Sequence, residues 1–415
     1  YLEDGRGEAE AGGDELGGYG QEYQQGQGQQ FVHKGTFRSV RRTNNLVFTT
    51  MRFKSVLGHG VNMRYLSGLV LGQNGFFPGH VGIEDGVIAE LGTGKRGSPY
   101  AKGLIVPTLV NGHTHIADYI VPVDPSLTLE ELVAPPKGLK HRVLDSAAPE
   151  TLMRGMLTMK RYMARRGVSR FLDFREGGYD GAEYLHRLQG EGAEAVIMGR
   201  PKQLEFCRAG ARRLLKVAEG VAVSSISDWE YSELQKLAKE VRDQGRPFAI
   251  HASERVREDI DRVLDLKPSY VVHMTEATDR DMRAVAEAGV PVVACPRSNM
   301  YFGKTPPLAR MLENGLTVAL GTDNAMICLP DMLAEMEAAA RLLRSQGREG
   351  IREALDRAMN GRKLLNRQES FSIEPGARCE LMVLRHRGGD AMSDLVLRSA
   401  ADAPELVCIG NNCWR

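Results

Sequence analysis

The chain has 415 residues, a formal net charge of +1, 42% hydrophobic content and six cysteines. That balance removes the electrostatic reason to expect nucleic acid or an anionic membrane as partner. No apolar run approaches the roughly 18–20 residues that span a bilayer. The N-terminus lacks the basic-then-apolar order of a secretory signal. Cys207, Cys295, Cys328, Cys379, Cys408 and Cys413 are scattered, with no CxxC pair. Unpaired thiols in a reducing, cytoplasmic setting are therefore expected.

Residues 1–30 are dense in Gly, Gln and Glu and nearly lack aliphatic side chains. Such a stretch buries too little apolar surface to offset its ordering entropy. With the patternless residues that follow, 1–62 reads as a disordered or non-native leader. Met51 and Met63 each offer an alternative start, and a Gln/Gly-rich interaction tail is the competing reading.

From Tyr65 the pattern is of short Val/Ile/Leu runs cut by Gly and Pro. GIEDGVIAEL predicts a hairpin turning at Glu84-Asp85-Gly86. After Gly103, continuous apolar runs recur at 168–174, 193–199, 220–227, 246–252, 269–274, 290–296 and 316–323. This is how strands buried on both faces of a parallel sheet read. Between them, Leu234, Leu237, Ala238 and Val241, and likewise Met282, Val285 and Ala286, keep helical spacing up to a glycine. With 104–110 the strands number eight, which predicts an α/β chain built on a (β/α)8 TIM barrel. CELMVL, DLVLRS and ELVCIGN return to strand character. Residues 63–103 and 367–415 are expected to pair as a small β-sandwich beside a barrel at 104–366.

Chemistry-bearing residues fall at the predicted strand ends. His113 and His115 form a His-x-His, His251 ends RPFAI, His273 sits in SYVVHM, and Asp323 closes LTVALGTD. The C-terminal strand ends of a parallel barrel share one mouth, and a period of two points His113 and His115 the same way. Three imidazoles and a carboxylate suit one divalent ion, Zn²⁺ above all, with Fe²⁺ or Mn²⁺ as alternatives. Any one of these histidines, taken singly, reads as an ordinary core or surface residue; five ligand-type residues at strand ends do not. Glu254, three residues past His251, suits proton transfer between a metal-bound water and a leaving nitrogen. The competing reading makes it a first-turn carboxylate of a helix in ERVREDIDRVL.

VPTLVNGHTH, HASE, VVHMTEATDRDM, CPRSNMYFG and ALGTDNAM together resemble the amidohydrolase superfamily, in its branch of cytosine, guanine and S-adenosylhomocysteine deaminases and triazine chlorohydrolases. The resemblance spans roughly 65–415. It implies a metal held by His113, His115, His251 and Asp323, with Glu254 shuttling protons. It also implies that His273 orients the water or polarises the substrate, and that Asp323 accepts the water's proton. Binuclear relatives carry a fourth-strand lysine; VAVSSIS has none, so a mononuclear centre is expected. The implied activity is hydrolytic deamination of a small heterocyclic or nucleoside-like amine. Hydrolysis of a cyclic amide or C–Cl bond is the alternative, and a non-catalytic binding barrel the alternative from another class. Members of this branch often form homo-oligomers.

The substrate side is less defined. SISDWEYS lacks the histidine that purine-type members place there. Glu176, beside Arg175 in FLDFREGG, is a candidate polar contact, with a loop ion pair as its alternative. Arg297 and Asn299 of CPRSN either line the pocket or brace its loop. Trp229 is a candidate stacking partner, against simple packing. The long segment 117–150 is expected to form a lid.

Overall fold

The computed structural model describes residues 63–415 apart from 95, 135–136, 367 and 370–371. The expected leader at 1–62 lies outside the described residues. The chain opens with β1 (Arg64–Gly72), β2 (Gly75–Glu84), β3 (Val87–Thr93) and β4 (Ala101–Pro107). The β2–β3 hairpin turns at Asp85 and Gly86, both at positive φ (48° and 74°), as two-residue hairpin turns require. The barrel strands follow: β5 (Leu109–His115), β6 (Val168–Arg175), β7 (Glu194–Gly199), β8 (Gly220–Val223), β9 (Phe248–Ala252), β10 (Tyr270–His273), β11 (Val292–Ala294), β12 (Val318–Leu320) and β13 (Asp323–Asn324). The chain ends with β14 (Glu380–Leu384), β15 (Leu406–Ile409) and β16 (Asn412–Trp414).

The barrel strands pair in parallel in the order β12-β11-β10-β9-β8-β7-β6-β5-β13. The two ends of that order are halves of one interrupted strand. β12 bonds β11 on one side, and β13 bonds β5 on the other, with Asp323 opposite Thr114. Eight strand positions thus return on themselves, and helices such as Tyr231–Asp243 and Asp279–Glu287 cover the outside. The interruption is pinned by Asn111, whose side-chain nitrogen donates to Thr322 Oγ1 (2.7 Å) while its oxygen accepts from the Thr322 amide (3.1 Å). Gly321 is needed there, because a Cβ would lie 2.8 Å from His113 Cβ.

Four expectations change. The run 104–110 is not one barrel strand. Leu104–Pro107 pair with β14 in the other sheet, and the first barrel strand begins at Leu109 and carries both histidines within it. DLVLRS is helical up to Arg398, within the helix Ala391–Arg398, whose Ala391, Leu395 and Val396 bury one helical face; a run of three apolar residues does not separate strand from helix. The terminal strands do pair with each other, but in one continuous seven-stranded sheet, β16-β15-β14-β4-β1-β2-β3, where a two-sheet sandwich was expected. One set of its side chains, including Leu66, Val81, Ile105 and Leu381, encloses a separate core; Leu104, Val106, Met382 and Leu384 belong to the main one. Cys408 and Cys413, partners across the β15–β16 hairpin, form a disulfide, which corrects the expectation of six free thiols. Strand pairing, invisible to a search for CxxC spacing, brings them together. No helix among the described residues is long and apolar enough to cross a membrane.

Candidate metal centre and catalytic pocket

His113 and His115 leave the same face of β5, His251 leaves β9, and Asp323 opens β13. One donor atom from each lies within 4.8 Å of the other three. Asp323 Oδ1 is 3.3 Å from His113 Nε2 and 3.7 Å from His115 Nε2, and His251 Nε2 is 3.2 Å from His113 Nε2. Their outer contacts set the orientation. His251 Nδ1 sits 3.1 Å from the Val223 carbonyl. Asp323 Oδ2 accepts from Ser298 Oγ and from Asn324 Nδ2, leaving Oδ1 for the histidines. His115 Nδ1 is 2.7 Å from Glu176 Oε1. A ring fixed through one nitrogen presents the other as ligand.

Burial pushes all three histidines below the ordinary imidazole range, His115 to about 3, so they are neutral donors at physiological pH. Burial alone would raise Asp323; the hydrogen bond with His113 and the neighbouring His273 outweigh it and keep the carboxylate ionised. Three neutral imidazoles and one buried carboxylate fit a divalent cation. Without one, His113 Nε2 faces His251 Nε2 at 3.2 Å and Asp323 Oδ1 at 3.3 Å, with no cation for these donors to share.

Glu254 and His273 stand beside this cluster and share Asp323 with it. Glu254 Oε1 is 3.5 Å from His273 Nε2. Burial raises the Glu254 carboxyl against the pull of His273. The helix-dipole reading of Glu254 falls, since the next helix starts only at Ile260, capped by Asp259. Among the described residues, four of the six non-glycine residues at positive φ are Ser253, His273, Met274 and Asp323. Left-handed backbone at non-glycine residues costs about 1–3 kcal/mol each and gathers where function over-determines the conformation.

A pocket of about 700 Å³ opens onto His115, His251, Glu254, His273 and Asp323. Its far wall comes from the segment after β5, through Leu129, Val133 and Lys140, and from the loops after β7, β8 and β9. The expected lid segment therefore covers the site, with helices of its own at Leu129–Val133 and Leu139–Ser146.

The expected substrate contacts are placed elsewhere. Trp229 is buried in the main core and does not line the pocket. The Arg297 side chain donates to the Leu329 carbonyl (3.1 Å) and its amide to Glu335 Oε1 (2.9 Å), so it braces its loop. Asn299 accepts from Thr275 Oγ1 (3.3 Å) and lies 3.4 Å from His273 Nδ1, which makes it a support for His273. Glu176 sits behind His115, where Lys140 (2.7 Å), Arg175 (2.8 Å) and Arg200 (3.1 Å) converge on it. Lys140 and Arg200, unmarked in the sequence reading, both line the pocket. Arg200 directly follows the apolar run of β7, the same strand-end signal that located His251.

Residues 104–396 match the amidohydrolase family, about seven-tenths of the chain. The chain belongs to that family, and it is an enzyme that hydrolyses carbon–nitrogen bonds other than peptide bonds. It is 33% identical, over 76% of its length and 89% of the relative's, to a protein of Methanothermobacter thermautotrophicus named provisionally as an aminohydrolase. It is 26% identical, over 63% of its length and 70% of the relative's, to a 5-methylthioadenosine/S-adenosylhomocysteine deaminase of Pyrococcus furiosus. The fold matches a zinc-containing adenosine deaminase of Xanthomonas campestris, with TM-score 0.70 at 19% identity over 84% of this chain and 92% of that one.

Proposed function

We propose that the protein is a metal-dependent hydrolytic deaminase of a small heterocyclic or nucleoside-like amine, working in the cytoplasm. The observation that carries this reading is the placement of Glu254 and His273, 3.5 Å apart, in the pocket that His115, His251 and Asp323 also line. His113, His115, His251 and Asp323 would hold a divalent ion, zinc in this reading, which would supply a lowered pKa for the attacking water. The described strand end after β8 holds no lysine, in keeping with a single ion.

The side chains divide the remaining work. Glu254, its carboxyl raised above the ordinary range by burial, takes a proton at its oxygen and delivers it to the ring nitrogen beside the carbon that loses its amino group. His273 donates a hydrogen bond to the oxygen that attacks, while Asn299 steadies its other nitrogen. Asp323, ionised and held by Ser298, accepts a proton from the attacking water. As the new C–O bond becomes a carbonyl, the proton held by Asp323 passes to the amino group, the C–N bond breaks and ammonia leaves, while the ring nitrogen keeps the proton delivered by Glu254.

Ammonia release from metal-loaded protein across aminated nucleobases, nucleosides and their derivatives tests this reading. Release from at least one ring is expected. Turnover of cyclic amides or chlorotriazines with no ammonia from any aminated ring would favour the alternative hydrolase.

A further inference from the structure

We propose that this pocket selects amines bearing an anionic group, a carboxylate or a phosphate, and that Arg200 with Ser224 forms the subsite that receives it. The inference rests on the deaminase reading for the reacting amine, and on separate observations for the anion.

Arg200 and Ser224 each stand one residue beyond a barrel strand, after β7 and β8, which are paired neighbours. Both line the catalytic pocket. Arg200 is only 8% exposed, and its guanidinium makes one hydrogen bond among the described residues, from Nη1 to Glu176 Oε1. A guanidinium has five N–H donors, so most of its capacity is unused. Glu176 is a poor sole counter-ion, because Lys140 shares the same oxygen, Arg175 takes the other, and His115 presses on it as well. Ser224 Oγ is buried and has no hydrogen-bond partner among the described residues. A buried cation with spare donors and an orphaned hydroxyl, both lining one pocket, call for a ligand rich in acceptor oxygens.

The location suits a substrate held at both ends. Ser224 follows Val223, whose carbonyl fixes His251, so the subsite lies one strand away from the ligand cluster. Arg200 also lines a second cavity of about 1140 Å³ on the far side of Glu176, together with Arg175 and Lys202. An anionic arm extending from the reacting ring meets positive charge at its tip, whereas a neutral ring leaves Arg200 desolvated and underused. Planar recognition of carboxylate or phosphate by arginine is bidentate, a geometry lysine does not reproduce.

Matched substrates decide the matter: adenosine against adenosine 5′-monophosphate, and 5′-methylthioadenosine against S-adenosylhomocysteine, each followed as ammonia release by metal-loaded enzyme. The member bearing the carboxylate or phosphate in at least one pair is expected to show about tenfold or greater kcat/KM, the scale of a charge-assisted hydrogen bond. Which pair responds tells phosphate from carboxylate. Arg200→Met should collapse that preference ratio towards one, Arg200→Lys should restore part of it, and Ser224→Ala, a change that threatens folding little, should lower it about threefold. Equal kcat/KM within both pairs, or a ratio unchanged in both Arg200→Met and Ser224→Ala, would overturn the subsite. If no aminated ring releases ammonia, the deaminase reading falls by itself. The subsite is then judged by thermal shift with adenosine 5′-monophosphate and with inorganic phosphate: stabilisation of wild type that Arg200→Met and Ser224→Ala lose upholds it, and no difference between the three proteins refutes it.

Discussion

The metal-facing wall of the pocket is made of strand ends, whereas the wall opposite is made of loops and of the segment after β5. On the first wall, backbone pairing fixes each ligand: Asp323 stands opposite Thr114 in the ladder, and Val272 pairs His251. On the second, side chains hold side chains. Lys140 reaches back to Asp118 and Glu176, Glu258 joins Ser227 to Ser253, and Arg257 joins the Glu254 loop to Asp281 on the helix Asp279–Glu287. The difference separates two kinds of robustness. Strand-end geometry is set by backbone pairing, whereas loop geometry depends on which charges are present.

The largest effect should come from attacking the first wall at the residue both clusters share. Asp323→Asn removes the anionic ligand and leaves three neutral imidazoles, so bound metal and turnover should both fall to background. Metal analysis of the purified variant, alongside its circular dichroism, checks that the barrel persists without them. Glu254→Gln cuts differently. It keeps the shape of the side chain but cannot accept a proton, so kcat should fall by about 10²–10⁴-fold with metal content unchanged. Loss of metal in this variant would place Glu254 among the ligands rather than beside them.

These two variants also mark what the sequence displays. The ligands were legible because barrel strands end at one mouth and side chains alternate with a period of two, so residue type and position suffice. The loop wall was not, because its contacts join residues far apart in sequence through no repeating pattern. Glu176 looked like a substrate contact for its exposed-seeming Gly-Gly loop, yet it lies under the floor behind His115. Trp229 offered a ring to stack on, and the fold spends it on the core. Asn299 and Arg297 stand beside the right residues but act through them, a distinction that only distances draw. Arg200 was legible by the strand-end rule and passed over because arginine is not a metal ligand.

Lys140 tests whether the two walls are independent. Its ammonium lies 2.8 Å from Asp118 and 2.7 Å from Glu176, which in turn contacts the ligand His115. Lys140→Met should weaken metal affinity and kcat/KM by about 10–100-fold, the usual scale for partners of a ligating histidine. Competition with a chelator measures the first and steady-state kinetics the second. Unchanged metal affinity would mean that the strand-end wall needs nothing from the segment that covers it.

The smallest effect concerns the anchor of the Glu254 loop. Arg257 donates twice to Asp281 (2.8 and 2.9 Å), which also accepts from the Thr278 amide and hydroxyl at the helix start. Burial acts to raise this carboxyl, but those hydrogen bonds outweigh it and bring the pKa from 3.8 down to about 2. A carboxyl depressed in the folded state binds protons less readily than in the unfolded chain. Its contribution is therefore complete above pH 3.8 and is lost as pH falls through about 2. Arg257 is half exposed, so screening trims the value to about 1–2 kcal/mol. Asp281→Asn should lower the melting temperature at pH 7 and converge on wild type near pH 2. A gap that persists unchanged to pH 2 would assign the loss to capping geometry rather than to charge, and would remove the pH sensitivity that sets the loop wall apart from the strand ends.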